Sequence, residues 1–234
     1  MLAAVQRPSW FRRLHRYLVA QGAYPVLLAS LLCAALFAFR AYLSRTWTYY
    51  FLLWNLFLAW VPYLSSLWVA ALHRRVPRRW WLLILPGTIA VAFFPNAPYI
   101  VTDFFHLAHR PPVPLWYDLG LLAMFAWTGI VLGVYALRIL HGIVSDLLGR
   151  GWGWLFALGL LGLGGVGIYL GRFLRWNSWD LLLQPKAVLY DVAVRLRYPL
   201  SHLQTLGVTL LFAGLLLTCY LGLTLGPRTR RAEF

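Results

Sequence analysis

The sequence is poor in acid. Six acidic residues stand among 234, against twenty arginines and a single lysine, Lys186. Charged residues of both signs make up 12% of the chain, where a soluble domain carries about a quarter. No long polar segment separates the apolar runs. A basic groove for nucleic acid therefore has no domain to sit on, despite a formal net charge of +15, and no nucleic-acid partner is expected. Cysteine is equally scarce. Cys33 and Cys219 lie far apart inside apolar runs, which excludes zinc-ligand and redox-pair spacings and leaves them as small buried hydrophobes. There is no serine-nucleophile motif, no cysteine beside a histidine and no phosphate-binding loop. "GLGGVG", Gly162–Gly167, has the glycine spacing of a dinucleotide fingerprint but no strand before it, so it is not read as one. No cofactor is expected.

What the chain has in quantity is apolar surface: 62% of residues are hydrophobic and 17% aromatic, with a mean hydropathy of +0.70. A soluble globule cannot hide this much, so the bilayer is the solvent. Six stretches are long enough to cross it: 23–43, 48–71, 80–102, 116–140, 152–171 and 204–225. The basic N-terminus (Arg7, Arg12, Arg13, Arg16) leads into a run too long for a signal peptide and without a small-x-small cleavage site. An uncleaved first span is expected. The fold expected is all-α and polytopic, a single transmembrane domain over 23–225 between basic termini at 1–22 and 226–234.

With the N-terminus placed in the cytoplasm, thirteen positive residues fall inside and eight outside. That bias predicts that both termini are cytoplasmic. Five of the eight outside positives (Arg172, Arg175, Lys186, Arg195, Arg197) occupy one loop, 172–203. Within it, "KAVLYDVAVRLRYPL" reads as a short amphipathic helix with Val188, Leu189, Val192 and Leu196 to one side and Asp191 and Arg195 at ion-pair spacing. It is expected on the outer membrane surface.

Three polar constellations stand out. In "FFPNAPYIVTDFFHL", 93–107, Pro95 and Pro98 break the third span after about 22 Å of helix, short of a core about 30 Å thick. Carbonyls freed there need partners within the protein, and Asn96 suits that need. Beyond the break, a short helix puts Asp103 and His106 on one face. Such a segment is either a kinked helix end with a polar cap or the lining of a site. In "PLWYDLG", 114–120, Asp118 falls in the first turn of the fourth span, where the helix dipole favours an acid. "GRFLRWNSWD", 171–180, can end the fifth span with Arg172 and Arg175 over its carbonyls and Asn177 closing the helix. Ser178 and Asp180 would then start the next helix. Taken singly, each constellation has a structural explanation. The topology brings all three to the outer face, along with three of the five aspartates. A shared polar cleft is therefore expected. Asp103, with His106, would serve as acid or base with Asp180 orienting; Asn96, Asp118, Arg172, Arg175 and Asn177 would bind the substrate. Asp103, His106 and Asp118 are too few to favour a metal. Gly129/Gly133 and Gly167/Gly171 have the spacing of close helix contacts. Asn55 and Pro62 in the second span are expected to serve packing.

The strings "FFPNAPYIVTDFFH", "WYD" at 116–118 and "GIYLGRFLRWNSWD" at 167–180 resemble membrane proteins of domain of unknown function 1361, over residues 45–222. Phe94 stands where an aliphatic residue is the family's habit. The resemblance implies a small multi-span bacterial membrane protein and no established activity. Three functions stay open on the residues: an outer-leaflet enzyme on a lipid or lipid-linked anionic substrate, a small proton-coupled carrier, or a non-catalytic assembly protein. Membrane lipids are the expected partners.

Overall fold

A computed structural model describes residues 10–76, 78–177 and 179–224. Among the described residues, six helical segments, one of them broken, are long and apolar enough to cross a membrane, and they form a bundle. The predicted all-α, multi-pass architecture is what the chain adopts. Ser178 and the predicted tail 226–234 lie outside the described residues, and the predicted N-terminal segment is described only from Trp10.

One helix was not anticipated. Helix α1, Trp10–Gln21, precedes the first span. Its sequence sets Trp10, Leu14, Tyr17 and Leu18 on one side and Arg12 and Arg16 on the other, the pattern of an interfacial helix. Gly22, at φ +75°, turns it into α2, Ala23–Ser44. A side chain there would be strained and would also run into the Tyr135 ring. Tyr17 holds α1 to the bundle by donating to the Leu67 carbonyl at 3.1 Å.

Helix α3, Tyr50–Arg75, runs back and carries Pro62 within it. The third span is composite. A 3₁₀ turn, Trp80–Leu83, leads into α4, Ile84–Phe93. The chain breaks at Phe94-Pro95, makes one turn as α5, Asn96–Tyr99, and ends as a 3₁₀ helix, Ile100–His106. The break falls where the prolines predicted it. The segment beyond is wound more tightly than the α-helix expected.

Helix α6, Leu115–Leu148, is 34 residues, about 51 Å, and overruns the predicted fourth span by two turns. Gly149, at φ +97°, links it directly to α7, Arg150–Phe173. A short α8, Asp180–Leu183, and α9, Pro185–Arg197, precede the last span, α10, Leu203–Thr224. Helix α9 stands where an amphipathic helix was predicted, with Asp191 and Arg195 paired at 3.0 Å. Only Val188 of its apolar side is buried; Leu189 and Leu196 are exposed.

The two glycine pairs receive the broken segment. A Cβ at Gly129 would collide with the Ala97 carbonyl, and one at Gly133 would press on Ala97. A Cβ at Gly167 would strike the Pro95 ring, and one at Gly171 would meet Tyr99. Residues 95–99 are thus wedged between α6 and α7, on the bare backbone those glycines provide. Phe94, fully buried, fills the space at Gly164. The wedge fixes where the chain beyond it emerges: at the end of the bundle shared by the start of α3, the start of α6 and the end of α7. We refer to this as the site end.

Candidate functional site

Two polar pairs meet at the site end. Asp103 is buried on the 3₁₀ segment and accepts a hydrogen bond from Asn55 Nδ2 of α3 at 2.8 Å. His106, one 3₁₀ turn on, is exposed. Its Nε2 lies 3.1 Å from Arg172 Nη1 of α7. Arginine only donates, so this nitrogen accepts and the ring proton sits on Nδ1. The Arg172 guanidinium also lies 5.0 Å above the Phe105 ring and within electrostatic reach of Asp103. The third and fifth spans, which the sequence brought together only by topology, touch here.

Asn96 lies just below. Its Nδ2 donates to the Phe93 carbonyl at 3.0 Å, taking up one of the acceptors freed by the break. Tyr99 stands beside it, against Gly171.

Asp118 belongs to a different structure. It is fully buried, and both oxygens are taken by Arg40 of α2, at 2.7 Å from Nε and 3.1 Å from Nη2. Arg40 is itself buried and lies 4.5 Å over the Tyr49 ring. Tyr49 donates to the His106 carbonyl at 3.2 Å and is approached by Arg110 from 5.1 Å. This group locks α2, α6 and the end of the third span together. Both carboxylate oxygens are engaged by Arg40, and the group is closed off by burial. Sequence reading missed the partner because Arg40 counted only as an outside positive charge. An arginine as the eighteenth residue of the predicted span 23–43 was the available signal.

The loop after α7 also differs from expectation. Arg175 closes the helix in the left-handed region, at φ +62°, and the Trp176 N–H turns back to the Leu170 carbonyl at 3.1 Å. The helix thus ends at Phe173, closed by Arg175, and not at Asn177; the Arg175 side chain is exposed. Asp180 Oδ2 accepts the Asn177 backbone N–H at 2.7 Å, shaping the turn into α8. Trp176 donates to Asp191 at 2.8 Å, tying α9 to the end of α7.

Beneath the polar pairs runs a groove of about 730 Å³, walled by α3, α4, α6 and α7. Its mouth carries Asn55, Asn96, Tyr99 and Asn177, with Trp54, Trp176 and Trp179 around them. Val188, Leu189 and Val192 of α9 line it from the side. Asp103 reaches it through Asn55. Towards the other end the lining is apolar: Leu83, Ile84, Leu140, Val144, Leu147 and Phe156. Trp54, Ile84, Leu163 and Leu189 are exposed at the rim, so the groove opens on the flank of the bundle. Asn55, expected to serve packing, is the link between Asp103 and the groove.

Among the described residues no three histidine, cysteine, aspartate or glutamate side chains stand together as metal ligands. Comparison with curated proteins and with solved structures returned no match. The family model described as "Protein of unknown function (DUF1361)" matches residues 54–219, a stretch that holds the broken third span, the Arg172–His106 contact and every wall of the groove, and the chain belongs to that family.

Proposed function

We propose that this protein binds, and chemically processes, a lipid with an anionic headgroup on the extracytoplasmic side of a bacterial cytoplasmic membrane. The observation that carries this reading is the union of an apolar groove, open on the flank of the bundle, with a polar mouth of Asn55, Asn96, Tyr99 and Asn177 that lies next to Arg172 along α7. An acyl-type chain fits the groove. The headgroup then lies among Asn55, Asn96, Tyr99 and Asn177, within reach of the guanidinium. Arg172 has donors beyond the one given to His106, and charge-assisted bonds to phosphate or carboxylate are the strong ones.

Asp103 is the acid or base of the proposal. It is held by Asn55 and faced by Arg172, next to the space for the headgroup. His106 positions Arg172. Asp118 leaves the proposed site because Arg40 engages it. Asp180 and Arg175 serve the turn that brings Asn177 to the mouth. A carrier that moved the headgroup across the membrane would need polar partners along the far half of the groove. Leucine, isoleucine, valine and phenylalanine make up most of the lining there, with Thr88 the polar exception, which favours binding and chemistry at one face.

The test is to purify the protein in mild detergent and identify the lipids it retains by mass spectrometry. Wild type should retain a phosphate- or carboxylate-bearing lipid, and Arg172→Gln about tenfold less of it, as expected for loss of a charged hydrogen bond worth about 1.5–3 kcal/mol. Equal retention by Arg172→Gln would refute the headgroup site. Incubation with the retained lipid, comparing wild type with Asp103→Asn, tests the chemistry. An unchanged lipid pool with both proteins removes the catalytic part of the proposal.

A further inference from the structure

The groove is longer than a leaflet is deep. On α3 its lining runs from Trp54 at the mouth to Val69, fifteen residues or about 22 Å along the axis. On α7 it runs from Gly171 to Phe156, again about 22 Å. Two walls thus give the same length independently. A hydrocarbon core about 30 Å thick allots each leaflet about 15 Å. An ordinary phospholipid brings two chains, each matched to one leaflet. The groove is a single channel that continues about 7 Å past that depth and, apart from Thr88, is apolar to its end. Its volume, about 730 Å³, suits one ligand of the size that protein pockets usually hold.

From this we propose that the ligand is a phosphate or diphosphate on one long hydrocarbon chain, of the polyprenyl type, and not a two-chain phospholipid. The inference rests on the headgroup reading above and adds the chain to it. The chain slides in from the membrane between α4 and α7, past the exposed rim at Ile84 and Leu163. The phosphate comes to rest by Arg172. Gly87 marks the far half of the groove: it lines the wall nine residues, about 13 Å, below Asn96. A Cβ added there meets nothing within 4 Å. A large side chain at this position would fill the channel at about leaflet depth and leave the mouth untouched.

The experiment measures binding of three phosphates to the full-length protein in detergent by native mass spectrometry. The probes are undecaprenyl phosphate (long single chain), farnesyl phosphate (short single chain) and dioleoyl phosphatidic acid (two leaflet-length chains). Wild type should bind undecaprenyl phosphate at least tenfold more tightly than either other probe. Gly87→Phe should lower that affinity to the level of farnesyl phosphate and leave farnesyl phosphate itself unchanged. Val144→Phe, from the α6 wall, should do the same and serves as the second plug should one variant fail to fold; an unaltered thermal midpoint identifies the folded variants. Phosphatidic acid bound as tightly as undecaprenyl phosphate, or a folded plug variant that leaves the long chain unaffected, overturns the inference while the headgroup site stands. Binding of none of the three, or binding that Arg172→Gln leaves intact, strikes the headgroup site and the chain assignment together.

Discussion

At the scale of single residues, the site end holds two kinds of buried charge that behave differently. Asp118 and Arg40 satisfy one another with two hydrogen bonds in a fully buried setting. Removing one partner leaves the other charge uncompensated, which costs about 3–5 kcal/mol, whereas an apolar pair of similar volume is often tolerated. Arg40→Leu and Asp118→Leu should each lower the thermal midpoint in detergent sharply, and the double variant should recover much of the loss. A double variant as unstable as the singles would show that the pair has no such self-contained role. Among the described residues, Asp103 is supported by a neutral amide, Asn55, and the more distant Arg172. A buried carboxylate so lightly partnered costs stability, and such residues concentrate where function requires them. Asp103→Asn should therefore cost little stability while abolishing any turnover, the reverse of Asp118→Leu.

At the scale of elements, the broken third span is the feature that builds the site. Prolines at 95 and 98 stop the helix, but its direction past the break is set by the glycines facing it on α6 and α7. Gly129→Ala would place a methyl group against the Ala97 carbonyl, and Gly167→Ala would place one against the Pro95 ring. Neither neighbour is the end of a flexible side chain, so the wedge must shift. Overpacking of this kind costs about 1–3 kcal/mol, or roughly 2–4 °C in thermal midpoint for each kcal/mol in a chain of this size. Gly87→Ala, in open space on the same span, should be close to neutral. The comparison is informative because all three replacements add one methyl group to a transmembrane glycine. A Gly129→Ala variant as stable as Gly87→Ala would mean that residues 95–99 do not sit tightly between the two helices. Helix α9 is the other element that matters to the site. Its Asp191 holds the Trp176 indole and pairs with Arg195, which keeps Val188 and Val192 against the groove.

At the scale of the whole molecule, six spans put the third, fourth and fifth span junctions with the site at one end. From the arginine distribution we propose that this end faces away from the cytoplasm. In a background of Cys33→Ala and Cys219→Ala, a single cysteine replacing the exposed Asn177 should react with a membrane-impermeant maleimide on intact cells. One replacing the exposed Arg75, at the opposite end of α3, should react only after permeabilisation. The reverse pattern would move the site to the cytoplasm. The background itself is expected to fold, since Cys33 makes only a long contact to Thr128, at 3.4 Å, and Cys219 is a partly buried hydrophobe.

Composition and run length determined that this is a multi-span helical membrane protein, because a chain so apolar and so poor in charge has no other stable solvent. Prolines in the third span determined where it breaks, because their geometry is local. The position of Asp103, His106 and Arg172 at one end followed from counting spans. Only the tertiary structure decided the partners. Whether Asp118 faces a substrate or Arg40 depends on how α2 rotates against α6, and no local pattern in either helix encodes that angle. Asn55 became part of the site because the wedge of residues 95–99 between glycines sets the 3₁₀ segment against α3. The groove likewise has no signature along the chain. It is the space left where a span interrupted at Pro95 cannot pack against α7 over its full length, and it exists only when the bundle is assembled.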